Sequence, residues 1–355
     1  MKRVGGLWPE LTSFANLLAA AEAAASCKRG RWDVAAFRMN QEWELMRLQR
    51  ELLDGSYAPG DYHEFKVLDP KPRVISAARF RDRVVHHALT RVLEPIFERR
   101  FSKDSYACRK GLGTHRALEV AKLGVRECRY VLKCDVRKYF ASIDHQILRE
   151  KLERVVKCGP TLDLAAKIMA GFKQREDHVV YFPGDNLFTP HERRRGLPLG
   201  NQTSQFFANV YLDRLDQRMA REWRPVLYAR YVDDLVAFHD DKLALTDLRA
   251  AMVEELDSVR LLLHAGKSRV YRCSEGLTFL GWRLFPWRFR LARGNAIGFG
   301  RRLRAMRDAH AAGKLDMRAV NASVAAWIGH ARNGHTLGLR RRLFSRYGFR
   351  KRHRV

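Results

Sequence analysis

Two adjacent aspartates, Asp233 and Asp234, lie in the sequence YVDDL at residues 231–235, between short apolar stretches at 226–228 and 236–238. Side chains alternate across a strand, so neighbouring carboxylates point to opposite faces unless the chain turns between them. The pair therefore predicts the tip of a β-hairpin, where both carboxylates lie close together. Their repulsion is tolerable with cations nearby, and divalent metal is the obvious counter-charge. An ordinary turn is the alternative, because aspartate is common in turns.

A third aspartate, Asp135, ends the apolar stretch 130–134, and the segment after it leads to a turn that opens a helix near Asp144. Three carboxylates at strand ends meet the needs of a two-metal phosphoryl-transfer site. In such a site one ion activates the attacking hydroxyl and the other stabilises the leaving pyrophosphate. Magnesium prefers a few carboxylates together with substrate oxygens. The pattern therefore predicts a nucleic-acid polymerase.

The motifs around these aspartates resemble those of reverse transcriptases. The stretch at Asp135 is similar to the first carboxylate motif of that family, and residues 231–235 are similar to the second. Between them, GLPLGNQTSQ at 196–205 resembles the glycine-containing palm motif that packs against the template and the incoming nucleotide. Most of the family has glutamine before that glycine and proline after the serine. This chain has Leu199 and Gln205 instead, a departure shared with the reverse transcriptases of diversity-generating retroelements.

Further stretches follow in the order of the same family. Residues 65–66 and 70–75 resemble the fingers strands, and residues 82–89 resemble the helix after them. Residues 105–111 through 114–115 resemble the segment before the palm, and residues 266–268 and 279–282 resemble the last two palm motifs. These ordered matches cover more than half of the chain. The resemblance implies an α+β fold of the right-hand polymerase type, with fingers, a palm built on an antiparallel sheet, and a helical thumb.

The order of these segments predicts one polymerase with interleaved subdomains. We expect an N-terminal helical extension, fingers interleaved with the palm, the palm itself, and a helical thumb with a basic C-terminal tail, at residues 1–60, 61–117, 118–285 and 286–355. Apolar spacing predicts thumb helices at 301–312 and 317–331.

Two polar or basic regions have an open interpretation. The stretch 183–195 predicts an exposed loop or hairpin near the nucleic acid, or an insertion without a role. The basic runs 340–342 and 350–354 are dense enough to contact RNA phosphates, although a disordered tail is the alternative for this last stretch.

The resemblance to reverse transcriptases implies which residues of this chain are functional. It implies catalytic roles for Asp135, Asp233, Asp234 and Lys267. The implied metal site comprises Asp135, Val136, Asp233 and Asp234, and would take two Mg²⁺ ions, with Mn²⁺ as a substitute. The implied nucleotide-binding residues are Lys66, Lys71, Arg73, Phe140, Leu199, Gly200, Gln205 and Tyr231.

Each of these roles has a physical argument and an alternative. Arg73 would bind the triphosphate through the planar fork of N–H donors of its guanidinium group, and Lys66 or Lys71 would assist it. Surface salt bridges are the alternative role for both lysines. Lys267 would protonate or steady the leaving pyrophosphate, although Lys-Ser after glycine is also a common turn. The family places a ring at Phe140 against the sugar, which would select deoxynucleotides. Core packing is the alternative there, with Tyr139 as a second candidate for the core residue.

Leu199 leads to the sharpest hypothesis. Polymerases gain fidelity when polar groups hold the base pair in one geometry, because a misfit then leaves buried donors unpaired. An apolar side chain imposes a softer penalty, so Leu199 predicts tolerance of mispairing. This agrees with the resemblance to the reverse transcriptases of diversity-generating retroelements, which mutate adenines during copying. The alternative is that Leu199 simply packs under Gly200.

Composition restricts the partners. A formal charge of +28 and a pI near 10.4 imply a polyanionic partner, for which nucleic acid fits best. The chain has no long uncharged apolar span, which argues against a membrane protein. The six cysteines form no Cys-x-x-Cys pair, so neither zinc nor a disulfide framework is expected, and a reducing cytoplasm is the default. The resemblance implies a bacterial or phage-encoded protein.

The sequence thus predicts an RNA-directed DNA polymerase. The resemblance further implies that it copies a template-repeat RNA, with errors at template adenines, for targeted protein diversification. The resemblance implies a structured template RNA, cDNA, dNTPs and a small basic ring-forming accessory protein as partners. A group II intron-type or phage-defence reverse transcriptase stays open as the close alternative. A non-catalytic RNA-binding scaffold is disfavoured, because a scaffold has no reason to hold three like charges together.

Overall fold

The computed structural model describes residues 2–68, 72–172 and 179–349 of the chain. The helices, in chain order, are α1 (Trp8–Thr12), α2 (Phe14–Ala25), α3 (Trp32–Met39), α4 (Gln41–Leu53), α5 (Phe80–Glu98), α6 (Thr114–Glu127), α7 (Tyr139–Ser142), α8 (His145–Glu153), α9 (Gly159–Ala170), α10 (Thr189–Glu192), α11 (Gln202–Arg218), α12 (Lys242–Ser258), α13 (Arg293–Ala311), α14 (Met317–Ala331) and α15 (Leu337–Arg346). The strands are β1 (His63–Val67), β2 (Arg73–Ala77), β3 (Tyr130–Asp135), β4 (Leu227–Tyr231), β5 (Asp234–His239), β6 (Arg269–Arg272), β7 (Leu277–Phe279), β8 (Trp282–Phe285) and β9 (Arg288–Leu291).

The central sheet has four strands within the described residues, in the order β4-β5-β3-β6, and all neighbours pair antiparallel. Side chains alternate across it, so β3 has two different faces. Leu132 and Cys134 are buried on one face, in the core cluster to which α8 and α11 also contribute. Val131 is buried on the other face with Phe238, against α6 and the sheet β7-β8-β9. The sheet is therefore covered by helices that fix its position.

The helix α6 lies unusually close to the sheet because of one glycine. A Cβ at Gly124 would come within 2.5 Å of the Phe238 ring, so only glycine allows this approach. The helix α8, in contrast, is positioned by its cap. Asp144 accepts hydrogen bonds from the main-chain N–H groups of Gln146 and Ile147, which confirms the predicted turn that opens a helix.

The hairpin β1-β2 is joined to the central body through the segment that precedes α11. The side chain of Asn201 is buried, accepts a hydrogen bond from Ala78 N–H and donates one to the Ser76 carbonyl. The Leu199 carbonyl accepts from Ser76 N–H at 3.2 Å. Three hydrogen bonds therefore fix the edge of β2 against residues 199–201.

Beyond the third sheet, α13, α14 and α15 pack around a small aromatic core. The rings of Phe299 and Trp327 stack with centroids 3.9 Å apart, and Leu343 packs against them. The helices predicted at 301–312 and 317–331 correspond to α13 and α14, but α13 begins earlier, at Arg293. The basic run 350–354 lies outside the described residues.

The predicted mixture of helices and antiparallel sheets is observed. In the described part of the chain, no helix is long and apolar enough to span a membrane. The stretch 183–195 is not simply an exposed polar loop: it contains α10, and the side chain of Arg193 is buried between Asp144 and Asp185. The division into N-terminal extension, fingers, palm and thumb stays a prediction.

Candidate active site

The tight turn between β4 and β5 holds Asp233, and Asp234 follows it as the first residue of β5. Tyr231 pairs with Asp234, so Val232 and Asp233 are the two turn residues. Val232 has a φ of +60°, a conformation that is strained for a β-branched side chain. The N–H of Val136 donates to the Asp233 carbonyl at 3.0 Å, which ties the turn to the chain that leaves β3.

The sheet register brings Asp135 directly opposite Asp234. Directly paired residues of antiparallel strands project from the same face, so these two carboxylates are neighbours. Lys267 Nζ donates to Asp135 Oδ1 at 2.9 Å. Lys133 Nζ forms an ion pair with Asp234 Oδ1 at 3.5 Å. That buried oxygen has no hydrogen-bond partner among the described residues. The structure thus brings the three predicted aspartates and Lys267 to one place.

Burial and mutual repulsion raise the pKa values of two of these carboxyl groups. The pKa of Asp234 is raised to about 6, mainly by burial and then by Asp233 and Asp135, although Lys133 opposes the rise. The pKa of Asp233 is also raised, by burial first and then by Asp135, while Arg73 and Lys267 oppose it. Without a further cation, this group of acids is therefore costly to ionise fully.

These residues fit a divalent cation that arrives with a phosphorylated substrate. Within the described ranges, no three His, Cys, Asp or Glu side chains are arranged to hold a metal ion on their own. Magnesium, however, is usually bound by one or two carboxylates, with water and substrate phosphate as the other ligands. The buried oxygen of Asp234 that lacks a hydrogen-bond partner provides such a ligand. Val136 has a buried side chain, so it could contribute only main-chain oxygen.

The predicted triphosphate-binding residues lie on the β1-β2 hairpin. Arg73 begins β2, is exposed, and is near enough to Asp233 to influence the pKa of that carboxyl group. Lys66 is exposed on β1, opposite Val74. Lys71 lies outside the described residues. Arg73 is therefore the predicted phosphate ligand whose charge reaches the carboxylates.

Two adjacent rings follow Asp135. Tyr139 is almost completely buried, and its hydroxyl donates to the Ala208 carbonyl. Phe140 is half-buried, and its carbonyl accepts from Leu197 N–H at 2.8 Å. Tyr139 is thus the core residue of the pair, and Phe140 lies beside the segment that leads to Leu199.

The remaining predicted nucleotide-binding residues lie at the start of α11, in the segment just before it, and at the end of β4. Leu199 is half-buried, and Gly200 has a φ of +109°, where a Cβ would lie 2.9 Å from Ile75 Cγ2. Gln205 is exposed in the first half of α11, whereas the Tyr231 hydroxyl accepts from Thr114 at the start of α6. Glycine is therefore required at residue 200 both for its backbone conformation and for its contact with β2.

A buried ion pair beneath the turn was missed in the sequence. Arg230 is completely buried, and its Nε donates to both carboxylate oxygens of Asp216 at 2.8 and 2.9 Å. Its Nη1 donates to the Val232 carbonyl at 3.1 Å and its Nη2 to Ser105 Oγ at 2.8 Å. The sequence feature that could have indicated this ion pair is an arginine within an otherwise apolar strand, directly before the aspartate turn. Arg230 thus connects α11 to the strained residue of the turn.

Comparison with known protein families gives a match over residues 66–284 to the family described as reverse transcriptase (RNA-dependent DNA polymerase). The chain is 27% identical to the protein YkfC of Escherichia coli (strain K12), with 70% of this chain and 72% of YkfC covered. It is 25% identical to the group II intron-encoded protein LtrA of Lactococcus lactis subsp. cremoris, with 50% of this chain and 28% of that protein covered.

A third relative is nuclear intron maturase 1 of Arabidopsis mitochondria (Arabidopsis thaliana), which is 34% identical over 85 residues, with 24% of this chain and 12% of the maturase covered. The chain thus spans less than a third of the length of LtrA and of this maturase. The family match confirms the predicted right-hand polymerase fold and the predicted enzyme class. Because it covers more than half of the chain, the protein belongs to the reverse transcriptase family.

Proposed function

We propose that this chain synthesises DNA on an RNA template, with Asp135, Asp233 and Asp234 as its catalytic carboxylates. The observation that supports this most strongly is the register that sets Asp135 opposite Asp234, with Asp233 in the strained turn beside them. A fold has no structural use for three neighbouring acids when burial opposes the ionisation of two of them, Asp233 and Asp234. A reaction at a phosphate group that depends on divalent cations would explain why the three acids lie together.

The side chains around these acids have complementary tasks in this proposal. Divalent ions, when bound, would activate the primer hydroxyl and stabilise the leaving pyrophosphate. Arg73 would hold the triphosphate through its planar fork of donors. Lys267, which already donates to Asp135, would neutralise or protonate the leaving pyrophosphate. Phe140 would pack against the sugar and exclude a 2′-hydroxyl.

Primer extension on an RNA template with Mg²⁺ tests this proposal. We expect DNA product from the wild type and a loss of several orders of magnitude in rate from Asp233→Ala. Asp247→Ala is the matched control, because Asp247 is an exposed aspartate on α12. Undiminished product from Asp233→Ala would contradict the assignment, as would wild-type protein that makes no DNA. The second result would favour the RNA-binding scaffold.

We further infer that copying is error-prone at template adenines and serves the diversification of a target protein. The support is chemical: an apolar side chain, Leu199, stands where most of the family has glutamine, and it lies beside Gly200 and β2. Leu199→Gln should then lower misincorporation opposite adenine relative to that opposite the other template bases. An unchanged error spectrum in a sequenced product pool would refute this inference.

A group II intron-type role is the competing proposal, and the names of LtrA and of the intron maturase favour it. The neighbouring DNA distinguishes the two: an imperfect repeat pair that differs at adenines would support diversification, and intron boundaries would support the other role. Diversification would also bring in a small basic ring-forming accessory protein. Because this chain carries a charge of +28, such a partner would need acidic patches or bridging RNA.

A further inference from the structure

A basic groove lies between the ends of three helices, away from the aspartate turn. It has a volume of about 560 Å³. Its cationic side chains come from the end of α5, the end of α8, and α11 with the helical turn that follows: Arg99, Arg100, Lys151, Arg154, Arg214 and Arg221. Asp213 is the single acidic side chain among the described residues that line it. We refer to this feature as the rear groove.

The rear groove and the aspartates are on opposite sides of the central sheet. Asp135 projects from the face of β3 opposite to its neighbour Cys134. Cys134 is buried in the same core cluster as Leu152 of α8 and Tyr211 of α11. Phe97, Val155 and Val210 line the rear groove and belong to the same cluster, so the groove lies on the Cys134 side of the sheet. A nucleic acid in the rear groove is therefore not the primer–template duplex at the carboxylates.

Four of the five arginines of the rear groove have no ion-pair partner among the described residues. Arg214 pairs with Glu255 at 3.2 Å. In the described part of the chain, by contrast, no acid lies within ion-pair distance of Arg99, Arg100, Arg154 or Arg221. Burial, with the nearby charges of Arg154 and Arg214, lowers the pKa of Lys151 to about 8. A bound polyanion would relieve this repulsion and keep Lys151 charged.

The chemistry of the lining indicates which polyanion fits. Five of the six cations are arginines, whose planar forks match phosphate oxygens better than lysine does. Single-stranded RNA is usually bound by stacking of bases on exposed rings. The one aromatic lining residue in the described set is Phe97, and its ring is buried. The groove thus offers contacts to phosphates and none to unstacked bases, which fits the backbone of a double-stranded stem.

We propose that the rear groove binds the phosphate backbone of a double-stranded RNA stem, independently of its sequence. The proposal that the groove binds a double-stranded stem is supported by the lining of the groove alone and does not depend on the proposed function. That the stem belongs to the same RNA whose template is copied rests on the proposed function. The rear groove would then hold structured RNA on one side of the sheet while synthesis takes place on the other.

The test uses the full chain and an RNA hairpin with a stem of about 16 base pairs, which has no primer end to extend. Binding is measured by fluorescence anisotropy as a function of salt concentration for Arg99→Gln/Arg154→Gln/Arg221→Gln. The control, Arg50→Gln/Arg129→Gln/Lys242→Gln, removes the same charge from exposed residues elsewhere. Asp233→Asn is included because it should bind the hairpin whether or not the carboxylates catalyse synthesis.

We expect the groove variant to bind the hairpin at least about tenfold more weakly near physiological salt, with a salt slope lower by roughly two to three units. The control should keep most of the affinity, and the groove variant should extend a short, unstructured primer–template at the wild-type rate. Equal affinities of the groove and control variants would overturn the proposal. It would also be overturned if the groove variant lost affinity for single-stranded oligouridylate but not for the hairpin.

Discussion

The half-buried ring of Phe140 and the buried ring of Tyr139 have different surroundings, which makes their roles separable. Phe140→Ala should admit ribonucleotides, because the ring would no longer fill the space of a 2′-hydroxyl. The selectivity for dNTP over rNTP should fall by about 1–3 kcal/mol, or roughly 10- to 200-fold. It is measured as the ratio of kcat/KM values for the matched nucleotides.

Tyr139→Phe is the control for this prediction. It removes only the hydroxyl that donates to Ala208, so it should lower the melting temperature and leave sugar selectivity unchanged. If Phe140→Ala kept wild-type selectivity, its ring would be a packing element and the sugar would be read elsewhere.

Arg230 is the residue beneath the turn whose contacts predict two separable effects. Arg230→Met should destabilise the fold by about 3–5 kcal/mol, because Asp216 is left buried and unpaired. Arg230→Met/Asp216→Leu should recover part of that stability. It should still extend primers on the order of 10- to 100-fold more slowly, because the Val232 carbonyl has lost its donor.

Thermal unfolding and single-nucleotide incorporation, measured on the same preparations, separate the two effects. A double variant with the wild-type rate would show that the bond to Val232 does not position the turn.

Gly200 lies at the junction between the β1-β2 hairpin and the segment before α11. Gly200→Ala should lower both the melting temperature and the affinity for dNTP, because the Cβ meets Ile75 at 2.9 Å and φ is +109°. Gly298→Ala on α13 is the matched control. Nothing lies within 4 Å of that Cβ, so the helix should gain about 1 kcal/mol. Equal melting temperatures for the two variants would contradict the close contact.

The helix α11 carries a carboxyl group that should make stability depend on pH. Burial is the main cause that raises the pKa of Asp213 from 3.8 to about 6. The stability that this group contributes is fully present below about pH 4 and is lost as the pH rises through about 6. Asp213→Asn should therefore melt higher than the wild type at pH 7 to 8, and the difference should vanish below about pH 4. The opposite pH trend would refute the assignment.

The sequence predicted features that depend on local chemistry. Asp233 and Asp234 were placed in a hairpin turn, and Asp144 at the start of a helix, because turns and caps are specified by the residues within them. The paired register of Asp135 and Asp234 was not derivable, since their separation along the chain exceeds any local pattern. Arg230 and Arg193 were missed for a related reason. Burial of a charge depends on a partner in another element, here Asp216 of α11 for Arg230 and Asp144 before α8 for Arg193, that spacing does not reveal.

The central sheet organises the whole molecule. One face carries the aspartates near the strand ends, and the helices on the other face carry the rear groove. The excess positive charge of +28 attracts RNA to the molecule as a whole, and this attraction weakens with salt. RNA binding should therefore depend on both sides of the sheet, whereas synthesis should depend on the carboxylates and the residues around them, and not on the rear groove.

The most direct test of this account is the addition of one dNTP to a primer on an RNA template by purified protein with Mg²⁺, in wild type and Asp135→Asn. Asp135→Asn keeps the shape of the side chain and removes the charge opposite Asp234. The account predicts extension by the wild type and a loss of at least about a thousandfold in the variant, with RNA affinity retained. Extension at the wild-type rate by Asp135→Asn would contradict it.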